Sequence, residues 1–225
     1  MFLDSDEAIQ VVQQLGLPAN DLASIETLEN NPASITWWLG SEGEENERDA
    51  EYDFVVPRVS GTRILDVGHA DGQILELFPS AVGVDQRRNA KKHQADREFV
   101  ADLVRGLPFA DRSFDTVTCI STLEHVGCGH YGDAVYDDAG VHKAFAELAR
   151  VSNERILVTV PLYLEIPGFV NRLGLGTLRR WGTIADWRQL QLCIWPSGVG
   201  RHLITVVAAA MYMVKPAGDG GAQGE

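Results

Sequence analysis

From residue 62 onward the chain repeats one pattern: a short apolar run, then a stretch with helical spacing. The runs are "RILDVG" (63–68), "AVGVD" (81–85), "REFVADL" (97–103), "FDTVTCIS" (114–121) and "RILVTVP" (155–161). Before the last of them, "GVHKAFAELARV" (140–151) sets Val141, Ala144, Phe145 and Leu148 on one side of a helix. Strands that are apolar throughout are buried on both faces. Strands joined through helices run parallel, with helix layers on either side. Two longer runs, "QLQLCIW" and "LITVVAAAMYMV", are joined by "PSGVGRH" and close the sheet as a hairpin. The pattern therefore predicts an α/β, doubly wound, mostly parallel sheet of seven strands with an antiparallel strand at its edge.

The flanks read differently. Residues 4–40 look helical, with Ile9, Val12 and either Leu15 or Val11 on one face and Pro18 opening a second short helix. "SEGEENERDAEYD" (41–53) reads as an acidic, solvated connector. The expected organisation is a lid-like N-terminal helical segment with its connector over 1–55, the sheet domain over 56–216, and a disordered Gly-rich tail over 217–225. A length of 225 residues suits one such domain.

Charge narrows the partners. Thirty-two acidic residues against 19 basic ones give a formal charge of −13, which disfavours attraction to nucleic-acid phosphates. The expected partner is a small molecule. Three widely spaced cysteines, with no C-x-x-C, suggest a reducing compartment without a zinc site or disulfide frame. "MFLDSDEAIQ" lacks a basic n-region and a long apolar run, and "LITVVAAAMYMV" is too short to span a bilayer. A cytoplasmic location is the resulting expectation. The oligomeric state is left open.

In a sheet of this kind ligands bind beyond the carboxyl ends of the strands, near the point where strand order reverses. The informative residues fall there: Asp66 and Gly68 after the first strand, Asp85 after the second, Asp102 after the third, and Ser121, Glu124 and His125 after the fourth. Asp85 stands 17 residues beyond Gly68, close to the spacing at which an acid meets a ribose diol. Its two acceptor oxygens suit two adjacent hydroxyls. Turn chemistry alone also attracts Gly and Asp to strand ends, and Asp71 has the position of a helix cap.

The run "ILDVGHADGQ … AVGVDQR … FVADLVRGLPFADRSFDTVTCISTLEHV … FAELARVSNERILVTVP" resembles the class I S-adenosylmethionine-dependent methyltransferases of the small-molecule type over about residues 60–165. "LPFADRSFDTV" is its most specific part. The resemblance implies a Rossmann-like fold and S-adenosyl-L-methionine as cofactor. It implies that Asp66 holds the methionine amino group and that the loop Gly68, His69, Ala70 and Gly72 passes the amino-acid moiety. It gives Asp85, with Gln86, to the ribose, and Asp102, with Leu103 beside it, to the adenine. Ser121 and His125 complete the cofactor set. Ala70 replaces a glycine of the usual loop, a change that costs little where φ is negative and more where it is positive.

"EHVGCGHYGDAVYDDAGVHKAFAELARV" is similar to a methyltransferase-like group with E-H-x-G-x-G-x-Y-G-D after strand four, associated with sugar and polysaccharide genes. The segment is rich in proton-transfer groups: Glu124, His125, His130, Tyr131 and Asp133. An ordinary imidazole pKa near 6.5 suits His125 to accept a hydroxyl proton during methyl transfer. It also suits a packing role beneath the cofactor. Tyr131 and Asp133 could fix the glycine-rich loop. Asp137 and Asp138 read as a helix cap rather than a metal pair, so no metal is expected. Asn171 and Arg172 would orient the acceptor. Trp181, Trp187 and Trp195, with Arg179 and Arg180, could line its pocket or belong to core and surface.

The expected activity is O-methylation of a small molecule, with a sugar or polysaccharide precursor as the candidate acceptor. The alternatives are a non-catalytic adenosylmethionine- or adenosylhomocysteine-binding or scaffold protein, favoured by Ala70 and by "SNER" in place of a "K-P-G-G" turn, and an NAD or nucleotide-sugar enzyme on a similar sheet.

Overall fold

The computed structural model describes residues 2–3, 34–39, 47–69, 72–87, 96–131, 138–162, 167–168, 170–171, 173–185, 189–199 and 204–214. Its strands are β1 (Phe2–Leu3), β2 (Ser34–Leu39), β3 (Ile64–Val67), β4 (Ala81–Asp85), β5 (Glu98–Val100), β6 (Phe114–Ile120), β7 (Ser152–Leu162), β8 (Gln189–Val199) and β9 (Ile204–Val214). Its α-helices are α1 (Glu47–Val55), α2 (Gln73–Leu77), α3 (Asp138–Val151) and α4 (Leu175–Ala185).

All the strands join one sheet in the order β1-β2-β8-β9-β7-β6-β3-β4-β5. From β7 to β5 every neighbouring pair is parallel. This is the alternating α/β architecture that the apolar runs require. The sheet differs from expectation at its other side. It has nine described strands rather than seven. The antiparallel strand β9 lies inside the sheet, between β7 and β8, rather than at its edge. β2 then adds to β8 in parallel. "SITWWL" (34–39), within the stretch read as helical, is that strand. Its β-branched and aromatic residues suit a pleated surface better than a helix. The rest of the expected N-terminal helices lies outside the described residues.

Side-chain alternation sorts the core into two layers. Leu65, Val117, Cys119, Ile156 and Val158 face α3 and α4, where Phe145 stacks on the fully buried Trp181 with ring centroids 4.8 Å apart. Trp181 is thus a core residue. Trp187 lies outside the described residues, and Arg180 is exposed. The opposite face meets α1 and α2 through Phe54, Val55, Ile64, Ile74, Leu75, Ile120 and Leu157. No helix among the described residues is long and apolar enough to cross a membrane.

Candidate active site

Strand order reverses between β3 and β6: β4 and β5 follow on one side, β6 and β7 on the other. That reversal opens a crevice at the carboxyl ends of the two strands. Gly68 follows β3 at that point. Its φ is +74°, and a Cβ there would stand 2.1 Å from Thr122 Oγ1. The loops after β3 and β6 therefore close on each other only because residue 68 has no side chain. Gly68 N–H donates to Val84 O at 2.7 Å, and Gly72 N–H to His69 O at 2.6 Å. Gly72 occupies the N-cap of α2 at φ 66° without a side-chain capping bond. Ala70 and Asp71 lie outside the described residues.

The His69 ring is buried and packs over β4. A Cβ on Gly83 would lie 2.6 Å from its Cδ2 and 3.0 Å from Leu75 Cδ2. Gly83→Ala is therefore expected to displace His69 and lower stability by about 1–3 kcal/mol, an overpacking cost readable in chemical denaturation. An unchanged midpoint would show that the ring yields freely.

Three carboxylates stand at successive strand ends. Asp66, 4% exposed, accepts a 2.7 Å hydrogen bond from Thr118 Oγ1. Burial pushes its carboxyl up to about 7, opposed by the Thr118 bond and the Arg48 charge. Asp85 accepts from Arg87 N–H at 2.9 Å through Oδ1, and among the described residues Oδ2 accepts no hydrogen bond. Asp102 is partly engaged by its own turn, accepting from Val104 N–H at 2.9 Å and lying 3.4 Å from Arg105 Nε. Gln86 and Leu103 are half-buried, and Leu103 packs against the core.

Beyond β6 a 3-10 turn spans Leu123–His125. It buries Glu124 and leaves His125 half-buried, with its Nε2 3.9 Å from Glu124 Oε1. Tyr131 meets both histidines edge-on, His125 at 5.3 Å and His130 at 4.9 Å between ring centroids. The Arg87 guanidinium lies 4.4 Å from the centre of the Tyr131 ring, linking the loops after β4 and β6. Burial raises the Tyr131 phenol above its ordinary pKa, so its hydroxyl is a donor rather than a base. Asn171 braces the turn: its N–H donates to Glu124 O and its Nδ2 to Val126 O, both at 2.7 Å. One N–H of that side chain is thereby spent on the loop. Asp133 and Arg172 lie outside the described residues, as does Asp137. Among the described residues no group of three or more His, Cys, Asp or Glu side chains could hold a metal ion.

One group in the site was not anticipated. Glu51, in the stretch read as a solvated connector, is 1% exposed on α1. Its Oε1 accepts from Ser121 Oγ and, at 2.5 Å, from Thr159 Oγ1. Its Oε2 pairs with Arg48 at 3.0 Å. Burial raises its pKa, with Arg48 and the two hydroxyls opposing. Asp66, Thr118, Thr159 and Glu51 thus form a polar seam along the α1 face of the sheet at its carboxyl end. The helical spacing of α1 carried no sign of this, because the partners of Glu51 are 70 and 108 residues away.

Residues 65–155 match the methyltransferase domain family. No curated protein matches the chain. Among solved structures it resembles the YcgJ protein from Bacillus subtilis, with a TM-score of 0.56 and 16% identity over 75% of this chain and 99% of that one. A SAM-dependent methyltransferase from Archaeoglobus fulgidus gives 0.56 and 16% over 77% and 95%. The [4+2]-cyclase SpnF gives 0.54 and 15% over 96% and 98%. At these identities the likeness is one of fold, and the parallel half of the sheet is that of the Rossmann-like methyltransferases.

Proposed function

We propose that this chain is an S-adenosylmethionine-dependent methyltransferase acting on a hydroxyl of a small molecule. The observation that carries the reading is the row of carboxylates at the ends of β3, β4 and β5, alongside the close approach of Gly68 to Thr122 where strand order reverses. S-adenosylmethionine is the cofactor that the family match implies. The residues fit it: a buried carboxylate for an ammonium, a second with an oxygen available for a ribose diol, and a third at the adenine end. Asp66, Gly68, His69, Ala70, Gly72, Asp85, Gln86, Asp102 and Leu103 are the proposed binding set. When bound, the cofactor supplies an electrophilic methyl group.

The chain's own residues then hold and deprotonate the acceptor. His125, half-buried beside Glu124, is positioned past β6 to accept the hydroxyl proton. Tyr131, Asp133 and Asn171 fix the loop that presents it. The N-terminal segment (1–55) is proposed to cover the site and exclude water. A sugar or polysaccharide precursor remains the acceptor class suggested by the E-H-x-G-x-G-x-Y-G-D segment. A second reading, cofactor binding without methyl transfer, is favoured by Ala70 and by "SNER" (152–155) in place of a "K-P-G-G" turn.

Adenosylhomocysteine is expected to raise the melting temperature and NAD to leave it unchanged. A ligand at about 100 times its Kd adds about 2.7 kcal/mol. Asp85→Ala should remove roughly 1.5–3 kcal/mol of that binding energy by taking away a charged acceptor. Calorimetry showing equal affinity for parent and variant would displace the ribose from Asp85. Release of adenosylhomocysteine on incubation with a panel of hydroxyl compounds would separate methyl transfer from mere binding.

A further inference from the structure

Ser121 is the first residue beyond β6, at the point where strand order reverses, and it has a φ of +43°. A non-glycine residue in that region is strained, and such strain persists where surrounding contacts impose it. Here the contacts are visible. Ser121 N–H donates to Thr159 O at 3.1 Å and to Thr159 Oγ1 at 3.0 Å. Its hydroxyl donates to Glu51 Oε1.

The direction of that last bond is decided by chemistry. In the ionised carboxylate, which Arg48 pairs through Oε2, Oε1 has no proton to give. Ser121 and Thr159 must therefore both donate to it. Each hydroxyl has one proton, so each is then left with lone pairs only. Thr159 is fully buried and out of reach, whereas Ser121 is half-buried beside the crevice. Whatever touches Ser121 Oγ from the crevice must donate to it.

We propose that Glu51 is a positioning residue that makes Ser121 an oriented hydrogen-bond acceptor for a hydroxyl of the methyl acceptor. This rests on the methyl-transfer reading. The carboxylates lie at the ends of β3, β4 and β5, whereas Ser121 and His125 both follow β6, on the other side of the strand-order reversal. The resemblance gives Ser121 to the cofactor, which also carries donors, and the adenosylhomocysteine affinity of Ser121→Gly separates that role from this one. A site of this kind selects a hydroxyl over its methyl ether, which has no proton to offer, and so also favours release of product.

The experiment uses the full chain saturated with adenosylhomocysteine and paired probes: catechol with 1,2-dimethoxybenzene, and methyl glucoside with its fully O-methylated form. Saturation-transfer NMR reads their binding. The parent should prefer the hydroxyl member of a pair by about tenfold or more. Ser121→Gly keeps the left-handed backbone, where glycine is at home, and removes only the hydroxyl. It should abolish the preference and leave adenosylhomocysteine affinity intact. Glu51→Ala should weaken the preference by letting the serine hydroxyl rotate. No preference in the parent, or a preference that survives in Ser121→Gly, overturns the inference. Equal loss of adenosylhomocysteine affinity in Ser121→Gly also overturns it, by returning the hydroxyl to the cofactor. Failure of adenosylhomocysteine to bind the parent would instead sink the methyl-transfer reading beneath it.

Discussion

His125→Ala is expected to lower methyl transfer by about 10²–10⁴-fold while leaving adenosylhomocysteine affinity nearly unchanged. His125 ends the short turn that follows β6, half-buried, and Asn171 fixes the backbone on either side of it. Its Nε2 is 3.9 Å from Glu124 Oε1. The parent rate should rise with pH as the imidazole loses its proton, and the variant should lack that limb. The competing role is packing, since the ring meets Tyr131 edge-on at 5.3 Å. Under it, His125→Ala would lower stability and cofactor binding together. His125→Gln separates the two accounts because it fills the space and keeps a hydrogen bond without accepting a proton at neutral pH. A fully active glutamine variant with the parental pH profile would rule out the base. Orientation alone would then have to carry the reaction.

The parts of this site legible in the sequence are those encoded locally. Asp66, Gly68, Asp85 and Asp102 can be placed because each ends or follows an apolar run, and "AVGVD" coincides with β4 residue for residue. Gly68 could be assigned a close approach, though its neighbour Thr122, 54 positions away, could not be named. Glu51 was illegible for the opposite reason. One buried carboxylate within "EGEENERDAEYD" looks in sequence like the acidic residues around it, and only its distant partners distinguish it. β2 failed on period: "SITWWL" is too short for alternation to outweigh the helical pattern before it. The interior place of β9 depends on β2 and β8 extending the sheet beyond it, a tertiary outcome that hairpin signals do not contain.

Cofactor affinity is expected to climb about tenfold per pH unit up to about pH 7 and then level off, because Asp66 must ionise to receive an ammonium. The group is buried on the β3 edge of the crevice, with Thr118 Oγ1 as its near partner. Burial, with a smaller push from Asp85, raises it from 3.8 to about 7. That rise has one sign for the free protein. Below about pH 4 folded and unfolded chains both hold the proton, and the contribution to stability is complete. As pH climbs the unfolded chain ionises first, so stability falls; above about 7 nothing of the contribution is left. The interval of about 3 units corresponds to about 4 kcal/mol. Glu51 is raised in the same direction, so the test compares Asp66→Asn with the parent rather than one pH with another. Asparagine still accepts from Thr118 but does not titrate. Its melting temperature should fall less between pH 4 and 7 than the parent's. Binding reverses the sign: a bound ammonium favours the carboxylate, so adenosylhomocysteine releases a proton on binding below pH 7. Calorimetry in buffers of differing ionisation enthalpy should detect that proton in the parent and not in Asp66→Asn. A parent affinity that is flat from pH 5 to 7, with no proton released, would separate Asp66 from the amino group and reduce it to a structural partner of Thr118.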